Sequence, residues 1–238
     1  MKQILKQKII QIWNSFIHLF YPNNCILCGE PMVEGEKHFC IACLHKLPQT
    51  DEVDLISNDT AQLFYGKIPL VYASSFLYFK KGSDVQELVH AFKYRENKYL
   101  AYYLGRMAGR KFLQHNISHT IDYIIPIPLH KKRLRERGYN QAEWIAKGVA
   151  SILKKPIDTT TLIRSEYNET QTKKNLFDRW KNVHYVFKTT HAQHVNQKHV
   201  LIVDDVITTG ATIESAANTL LSDVSVDISL LSIAITQR

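Results

Sequence analysis

The chain has 238 residues, 45% of them hydrophobic and 22% charged, so it is long enough for one substantial core and is not typical of a disordered protein. Its apolar runs all fall short of the roughly 18 residues that a transmembrane helix requires. The net charge is +8, and the segment 80–181 alone carries +11, with 21 Lys and Arg against 10 Asp and Glu. This excess indicates an anionic ligand such as phosphate, pyrophosphate or nucleic acid, and a solvated basic face is the alternative.

Residues 1–22 are predicted to form an amphipathic helix. The apolar residues that recur at helical spacing are Leu5, Ile9, Ile12, Trp13, Phe16 and Phe20. Polar residues interrupt this stretch and no small-residue cleavage site follows, so the pattern does not favour a signal peptide and we expect a cytoplasmic protein. The helix is expected to dock on the protein's own core or on a partner, and a membrane-surface anchor is the alternative.

All four cysteines of the chain lie within the next predicted module, residues 23–50. Cys25 and Cys28 form one CxxC pair, and Cys40 and Cys43 form a second. Two such turns supply four thiolates in a closed tetrahedral shell, which is the shell of structural zinc. Disulfides are the alternative, but they need an oxidising compartment for which the sequence carries no targeting signal. His38 is a substitute ligand, and the zinc is expected to hold the fold rather than perform chemistry.

A linker at 51–67 is predicted to precede a larger domain at 68–238. In this domain, strands are predicted at 71–79, 121–128, 199–205 and 225–235, and helices at 85–92, 100–108, 138–153 and 213–220. Strands that alternate with helices predict an α/β fold with a mostly parallel sheet and helices on both faces.

Two adjacent carboxylates, Asp204 and Asp205, end the third of these strands, and the sequence TTGAT follows at 208–212. In an open α/β sheet, ligands bind beyond the carboxyl ends of the strands, and a turn into a helix offers free N–H groups to a phosphate. Carboxylates accept hydrogen bonds from a ribose diol, so the pattern indicates a ribose 5-phosphate; a simple helix cap is the alternative. The predicted site residues are Asp204, Asp205, Thr208, Thr209, Gly210, Ala211 and Thr212.

The stretch LIVDDVITTGAT resembles the phosphoribosyl-diphosphate (PRPP) motif of type I phosphoribosyltransferases. Together with PIPLHKKRLRERGYNQAEWIA, ETQTKKNLFDRWKNVHYVF and the four-cysteine module, it is similar to the ComF family, which is associated with DNA uptake in natural competence; the resemblance spans about 21–235. It implies a type I phosphoribosyltransferase fold behind a small zinc-binding module. It also implies that PRPP binds with Mg²⁺, with the ribose hydroxyls on Asp204 and Asp205 and the 5′-phosphate at 208–212.

Cationic residues follow the predicted strand 121–128 and lie in the polar segment 164–180. In the fold that the resemblance implies, the first group forms the pyrophosphate loop, where guanidinium groups clamp phosphoryl groups, and the second belongs to a loop over the ligand. Both groups are also candidates for binding a nucleic-acid backbone, and a solvated basic helix is the alternative. The predicted residues are Lys131, Lys132, Arg133, Arg135, Arg137, Lys173 and Arg179, with Arg164 and Lys174 also available.

Two functions fit these patterns. The first is a ComF-type competence protein that binds PRPP and handles single-stranded DNA during uptake, together with a competence or DNA-uptake partner. The second is an active phosphoribosyltransferase that transfers ribose 5-phosphate to an unidentified small acceptor recognised around 71–98. A glutamine-dependent amidotransferase is not favoured, because every cysteine is assigned to zinc. The aromatic residues available to stack on bases, or alternatively to form core, are Phe92, Tyr94, Tyr99, Tyr139 and Trp144.

Overall fold

The computed structural model describes residues 24–50, 54, 56–94, 97–115, 118–164 and 186–237. The predicted N-terminal helix at 1–22 lies outside these residues, as do Lys173, Lys174 and Arg179. The chain divides into two compact units, Met1–Leu47 and Pro48–Arg238. Among the described helices, none has the length and apolar character needed to cross a membrane.

The described part of the first unit is built from tight turns and one short helix. A turn at 25–29 and isolated bridges between Asn24 and Pro31 and between Lys37 and Phe39 precede helix α1, Ile41–Lys46. Its small core is made by Phe39 and Leu47 together with two of the cysteines. So few apolar side chains bury little surface, which is why a segment of this kind needs another source of stability.

The second unit is built on a four-stranded, wholly parallel sheet with the order β1-β6-β5-β2. The strands of this sheet are β1 (Tyr72–Phe79), β2 (Tyr123–Pro126), β5 (His199–Ile207) and β6 (Asp227–Thr236). A separate antiparallel pair is formed by β3 (Leu162–Arg164) and β4 (Phe187–Thr189). Near-continuous burial of β5 and β6 is the pattern of central strands covered on both faces. The predicted α/β fold with a mostly parallel sheet is therefore confirmed.

Helices follow the strands of the sheet as the apolar spacing predicts. They are α2 (Asp59–Gln62), α3 (Asp84–Tyr94), α4 (Lys98–Leu113), α5 (Lys131–Arg137), α6 (Gln141–Leu153) and α7 (Ala211–Asp223), with 3₁₀ turns at Ser118–Thr120 and Ala192–Val195. In α3, the residues Val85, Leu88, Val89 and Phe92 recur at i, i+3, i+4 and i+7 and are all buried. Helices α4 and α6 pack closely against each other.

The segment 51–67, predicted to be a linker, contributes side chains to the core of the second unit. Helix α2 begins after Asn58, whose side chain accepts a hydrogen bond from the backbone N–H of Ala61. Leu63 is 7% exposed and Phe64 is 1% exposed, and both belong to the same apolar cluster as the central strands. Phe64 thereby comes to lie against the turn that follows β5.

The carboxyl ends of β2 and β5 lie side by side, which brings two predicted groups of residues together. Pro126 pairs with Val203, and the N–H of Ile127 donates to the carbonyl of Val203 at 2.9 Å. The chain after β2 therefore leaves the sheet beside Asp204 and enters the basic helix α5. Parallel pairing thus places the acidic pair and the basic helix at one edge of the sheet.

Candidate ligand-binding site

The turn between β5 and α7 has the geometry of an anion site. Gly210 is the N-cap of α7 with a φ of 81°, and a Cβ at this position would lie 2.8 Å from Cε1 of Phe64, so the turn requires glycine. Helix α7 is 13 residues long, and its free N–H groups and the positive end of its dipole favour an anion. The predicted residues that are exposed around this turn are Thr208, Thr209, Ala211 and Thr212.

Asp204 lies at the buried edge of this turn, and its surroundings disfavour a charged carboxylate. Burial, with the neighbouring charge of Asp205 as the next cause, raises the pKa of Asp204 to about 7. The backbone N–H of Asp205, which donates to Oδ1 of Asp204 at 2.8 Å, opposes this shift, as do the charges of Lys93 and Arg164. We therefore expect Asp204 to gain or lose its proton near neutral pH, so the charge of a ligand can change the protonation of this carboxyl group.

Asp205 is held by a lysine that sequence reasoning did not identify. Nζ of Lys93 lies 2.9 Å from Oδ2 of Asp205, and the two side chains are only 19% and 16% exposed. Lys93 belongs to the last turn of α3, within the range 71–98 in which acceptor recognition is expected. Its place in the sequence, after an apolar helix face, does not distinguish it from other surface lysines, so only its ion pair with Asp205 identifies it.

The basic residues that follow β2 lie on helix α5, and most of them face solvent. The exposed members are Lys131, Lys132, Arg133 and Arg135, whereas Arg137 is partly buried. The ring of His130 caps this helix by accepting from the N–H of Lys132 at 3.3 Å. Arg137 donates to Oε1 of Gln141 at 3.0 Å, so its guanidinium is already partly engaged.

Arg164, at the end of β3, reaches the same region as Asp204. Its guanidinium carbon lies 5.3 Å from the ring centroid of Phe187 on β4, which fixes it in a half-buried position. Burial lowers the pKa of Arg164, the charge of Arg133 adds to this, and the charge of Asp204 opposes it. Arg164, from β3, therefore approaches the carboxylate of Asp204, and Arg133, from α5, lies close enough to Arg164 for their charges to interact.

The arrangement combines hydrogen-bond acceptors and anion-binding groups at one edge of the sheet. Carboxylates at 204 and 205 can accept from hydroxyl groups, the start of α7 can hold a phosphate, and Arg133 and Arg164 can pair with further phosphoryl oxygens. Such a set suits a ligand that carries both a sugar diol and phosphates. A base or nucleophile dedicated to bond formation is not identified among the described residues.

The four cysteines of the first unit converge on one point. Their Sγ atoms lie within 4.8 Å of one another, and Sγ of Cys28 lies 3.8 Å from Sγ of Cys40. Zinc–sulfur bonds of about 2.3 Å in a tetrahedron place the sulfur atoms about 3.8 Å apart, so the cluster fits zinc. His38 is not part of this cluster. The predicted four-cysteine zinc site is therefore formed by Cys25, Cys28, Cys40 and Cys43.

Backbone amides favour the thiolate that a metal requires. Although burial acts in the opposite direction, backbone N–H groups of Cys28, Cys40 and Leu27 lower the pKa of Cys25 to about 6. The N–H of Cys40 lies 3.3 Å from Sγ of Cys25. Both CxxC turns thus supply N–H donors that stabilise the charge of Cys25, whereas burial raises the pKa of Cys43.

Two family models match separate parts of the chain. Residues 16–53 match the double zinc ribbon domain, and residues 140–235 match the phosphoribosyl transferase domain. The first match covers the four-cysteine cluster, and the second covers α6, β5, α7 and nearly all of β6. The first match therefore falls mainly on the unit that holds the cysteine cluster, and the second falls on the unit that holds the acidic pair and the threonine turn.

Solved structures of phosphoribosyltransferases also align with the chain. Glutamine PRPP amidotransferase from B. subtilis, complexed with ADP and GMP, aligns with a TM-score of 0.39 and 19% identity, over 55% of this chain and 25% of that one. The chain thus spans about a quarter of that enzyme's length.

Relatives match over most of the chain. DNA utilization protein YhgH from Salmonella typhimurium is 28% identical over 219 residues, which is 85% of this chain and 92% of the relative. Competence protein F from Haemophilus influenzae is 28% identical over 82% of this chain and 77% of its own length. Competence protein ComFC from Bacillus subtilis is 37% identical over 99 residues, 41% of this chain and 38% of its own length. The chain therefore carries a double zinc ribbon match in front of a phosphoribosyl transferase match, and its relatives include a DNA utilization protein and competence proteins.

Proposed function

We propose that the protein binds PRPP at the carboxyl end of β5. The observation that carries this proposal is the carboxylate pair, Asp204 and Asp205, near the end of β5, with an exposed threonine turn beginning three residues later at Thr208 and leading into α7. The carboxylates would accept hydrogen bonds from the ribose diol, and the turn 208–212 would hold the 5′-phosphate. Arg133 and Arg164 would meet the diphosphate.

Mg²⁺ would accompany PRPP, with its charge neutralising the diphosphate oxygens. The chain's own contribution would be to orient the ligand between the acidic pair and the turn. Asp205 already has a cationic partner in Lys93, so a ribose diol would have to share or displace that partner. Asp204, whose pKa is raised to about 7, would be the more responsive of the two carboxylates.

The biological role we propose is the handling of single-stranded DNA during its uptake in natural transformation. The names of the relatives, a DNA utilization protein and competence proteins, support this role, as does the exposed basic helix α5. A protein with this role would act in the cytoplasm on incoming DNA, with a DNA-uptake partner. Phosphates of the strand would use the cations that also suit a diphosphate.

The PRPP proposal is tested by replacing Asp204 and Asp205 with asparagine. The change keeps the side-chain volume, and the loss of charge-assisted hydrogen bonds, each worth about 1.5–3 kcal/mol, should lower the affinity for PRPP at least about tenfold. Isothermal titration calorimetry with PRPP and Mg²⁺ measures this directly. Asp227→Asn, an exposed carboxylate at the opposite end of the sheet, is the control and should bind normally.

The pH dependence provides an independent readout of Asp204. Because its pKa in the folded protein is raised to about 7, Asp204 is protonated below that pH, and PRPP affinity should fall as the pH drops from 8 to 6. The phosphates of PRPP also titrate near pH 6, so part of the pH dependence of affinity comes from the ligand. Asp204→Asn alone should remove only the part of this pH dependence that comes from the protein. Equal PRPP binding by the folded double variant and the parent would overturn the proposed site.

The DNA proposal is tested by replacing Lys131, Lys132, Arg133 and Arg135 with glutamine. Affinity for a single strand falls with salt, and the slope of log affinity against log salt concentration becomes shallower by about 0.7 for every phosphate that the protein no longer neutralises. The four substitutions should therefore flatten this slope by roughly two to three units. Binding should weaken with little regard to base sequence. Fluorescence anisotropy of a labelled oligonucleotide at several salt concentrations measures both. An unchanged slope together with weaker PRPP binding would assign these residues to the diphosphate alone.

An active phosphoribosyltransferase remains the second candidate, and the match of residues 140–235 to that domain supports it. It would use the same site to transfer ribose 5-phosphate from PRPP to an unidentified small acceptor. A screen of acceptors for pyrophosphate release distinguishes the two candidates. Release that depends on a particular acceptor, in a protein without measurable DNA binding, would favour the transferase.

A further inference from the structure

Two helix junctions lie side by side on the second unit. One joins α3 to α4 and the other joins α5 to α6. The hydroxyl of Tyr139 donates to the carbonyl of Phe92, and the guanidinium carbon of Arg137 lies 5.3 Å from the ring centroid of Tyr94. Because Phe92 is fully buried and belongs to the core, these contacts tie both junctions to the core and fix their position.

Aromatic rings and cations alternate on the surface that the two junctions form. Tyr99 and Trp144 meet edge to face, with ring centroids 5.8 Å apart. Nζ of Lys98 lies 5.6 Å from the Tyr99 centroid and 5.1 Å from the Trp144 centroid, and Nζ of Lys147 lies 4.7 Å from that of Trp144. We call this set the junction surface: Tyr94, Lys98, Tyr99, Arg137, Trp144 and Lys147.

Two rings of the junction surface are largely exposed, and that of Trp144 is partly exposed. Tyr94 is 62% exposed and Tyr99 is 63% exposed, whereas side chains of this size are mostly covered in folded proteins. Lysine or arginine groups accompany every ring. Nζ of Lys147 also pairs with Oε1 of Glu143 at 2.7 Å, so Lys98 and Arg137 give the surface its positive charge. An apolar protein partner would bury the charges of Lys98 and Arg137, which have no carboxylate partner among the described residues, and this is costly. An anionic ligand with flat rings matches both properties.

The junction surface is also continuous with the candidate ligand site. Lys93, which pairs with Asp205, directly precedes Tyr94 on α3. Helix α5 begins at the basic residues 131–135 and ends at Arg137, which lies over Tyr94. A chain of phosphates that followed α5 would therefore reach the aromatic rings within the length of one short helix.

We infer that the junction surface stacks the bases of single-stranded DNA whose phosphate backbone follows α5. This inference rests on the proposed DNA-handling function and adds to it the side chains that contact bases. Base-to-ring stacking is worth about 1–3 kcal/mol per base and tolerates any sequence. In duplex DNA the base faces are stacked on each other, so the surface selects single strands.

The test compares Tyr99→Ala/Trp144→Ala with the parent protein for binding of a labelled 20-nucleotide single strand, its duplex and an abasic strand of the same length. We expect a loss of affinity of about tenfold or more for the single strand, with an unchanged salt slope and little change for the abasic strand. Tyr99→Phe keeps the ring and should bind normally. Tyr65→Ala is the matched control, because Tyr65 is 59% exposed and lies outside the junction surface.

Trp144 provides a second readout that does not depend on removing a side chain. The chain has three tryptophans, so Trp13→Phe/Trp180→Phe leaves Trp144 as the only one. Its fluorescence should be quenched by the single strand and not by the abasic strand. If the parent binds DNA, Tyr99→Ala/Trp144→Ala binds equally well, and Trp13→Phe/Trp180→Phe shows no quenching, the inference fails and the proposed function stands. If the parent binds no single strand at low salt, both fail.

Discussion

Replacing Cys40 with serine is expected to remove zinc from the protein and unfold residues 24–47. The matching family model describes a double zinc ribbon, but the chain has only four cysteines, which fill one tetrahedral shell. The parent should therefore carry about one zinc per chain. Zinc supplies about 10–16 kcal/mol of apparent binding free energy in zinc-finger peptides, and a small apolar core cannot replace it. We therefore expect the first unit to lose at least about 3 kcal/mol of stability.

Two measurements on the full chain check this result. Elemental analysis gives the zinc content, and hydrogen exchange should show loss of protection in 24–47 while the second unit keeps its own. His38→Asn is the control: residue 38 has a φ of 64°, which asparagine tolerates, and His38 lies outside the cysteine cluster. A parent protein with no zinc and two disulfides, or a His38→Asn variant that loses its zinc, would contradict this assignment.

Gly148→Ala is expected to destabilise the second unit by about 3 kcal/mol or more. A Cβ at this position in α6 would lie 2.2 Å from the carbonyl oxygen of Tyr102 and 2.8 Å from the backbone nitrogen of Arg106, both in α4. Backbone atoms cannot move aside as a flexible side chain can, so the helices must separate. This cost exceeds the gain of up to about 1 kcal/mol from alanine's helix propensity.

Gly109→Ala is the matched control at the same helix contact. Its Cβ would lie 3.2 Å from Cα of Val149, a separation that a small shift can relieve. The propensity gain should offset most of that cost, so Gly109→Ala should unfold close to the parent in a urea titration. If the two variants have the same stability, the close approach of α4 and α6 does not control the stability of this unit.

The sequence predicted some features of the two units and not others. The CxxC spacing alone determined the cysteine cluster, because each ligand pair is fixed by a local turn. Apolar spacing located α3 and α7 and the buried strands β5 and β6, since amphipathic periodicity is a local property. The acidic pair was placed near the carboxyl end of a strand for the same reason, although β5 continues two residues beyond the predicted end, to Ile207. The role of the segment 51–67 was not predictable, because Phe64 enters the core through contacts distant in sequence.

The environment of the acidic pair was decided only by tertiary structure. Lys93 and Asp205 are more than a hundred residues apart in sequence, and no periodicity connects them; only the folded chain brings the end of α3 to Asp205. The raised pKa of Asp204 likewise depends on burial and on charges from other elements, Lys93 and Arg164. Electrostatic energies depend on distance and on access of water, and both are properties of the packed chain.

The sequence by itself determined which chemical groups this protein carries: four thiolates in two turns, a carboxylate pair before a threonine turn, and a basic segment with aromatic residues. Tertiary structure decided which of them act together. It assigned Phe92 to the core while leaving Tyr94 and Tyr99 exposed, and it paired Tyr99 with Trp144 across two helices. The physical reason is that residue type and local spacing fix secondary structure and ligand chemistry, whereas burial and neighbouring charge arise only when distant segments pack.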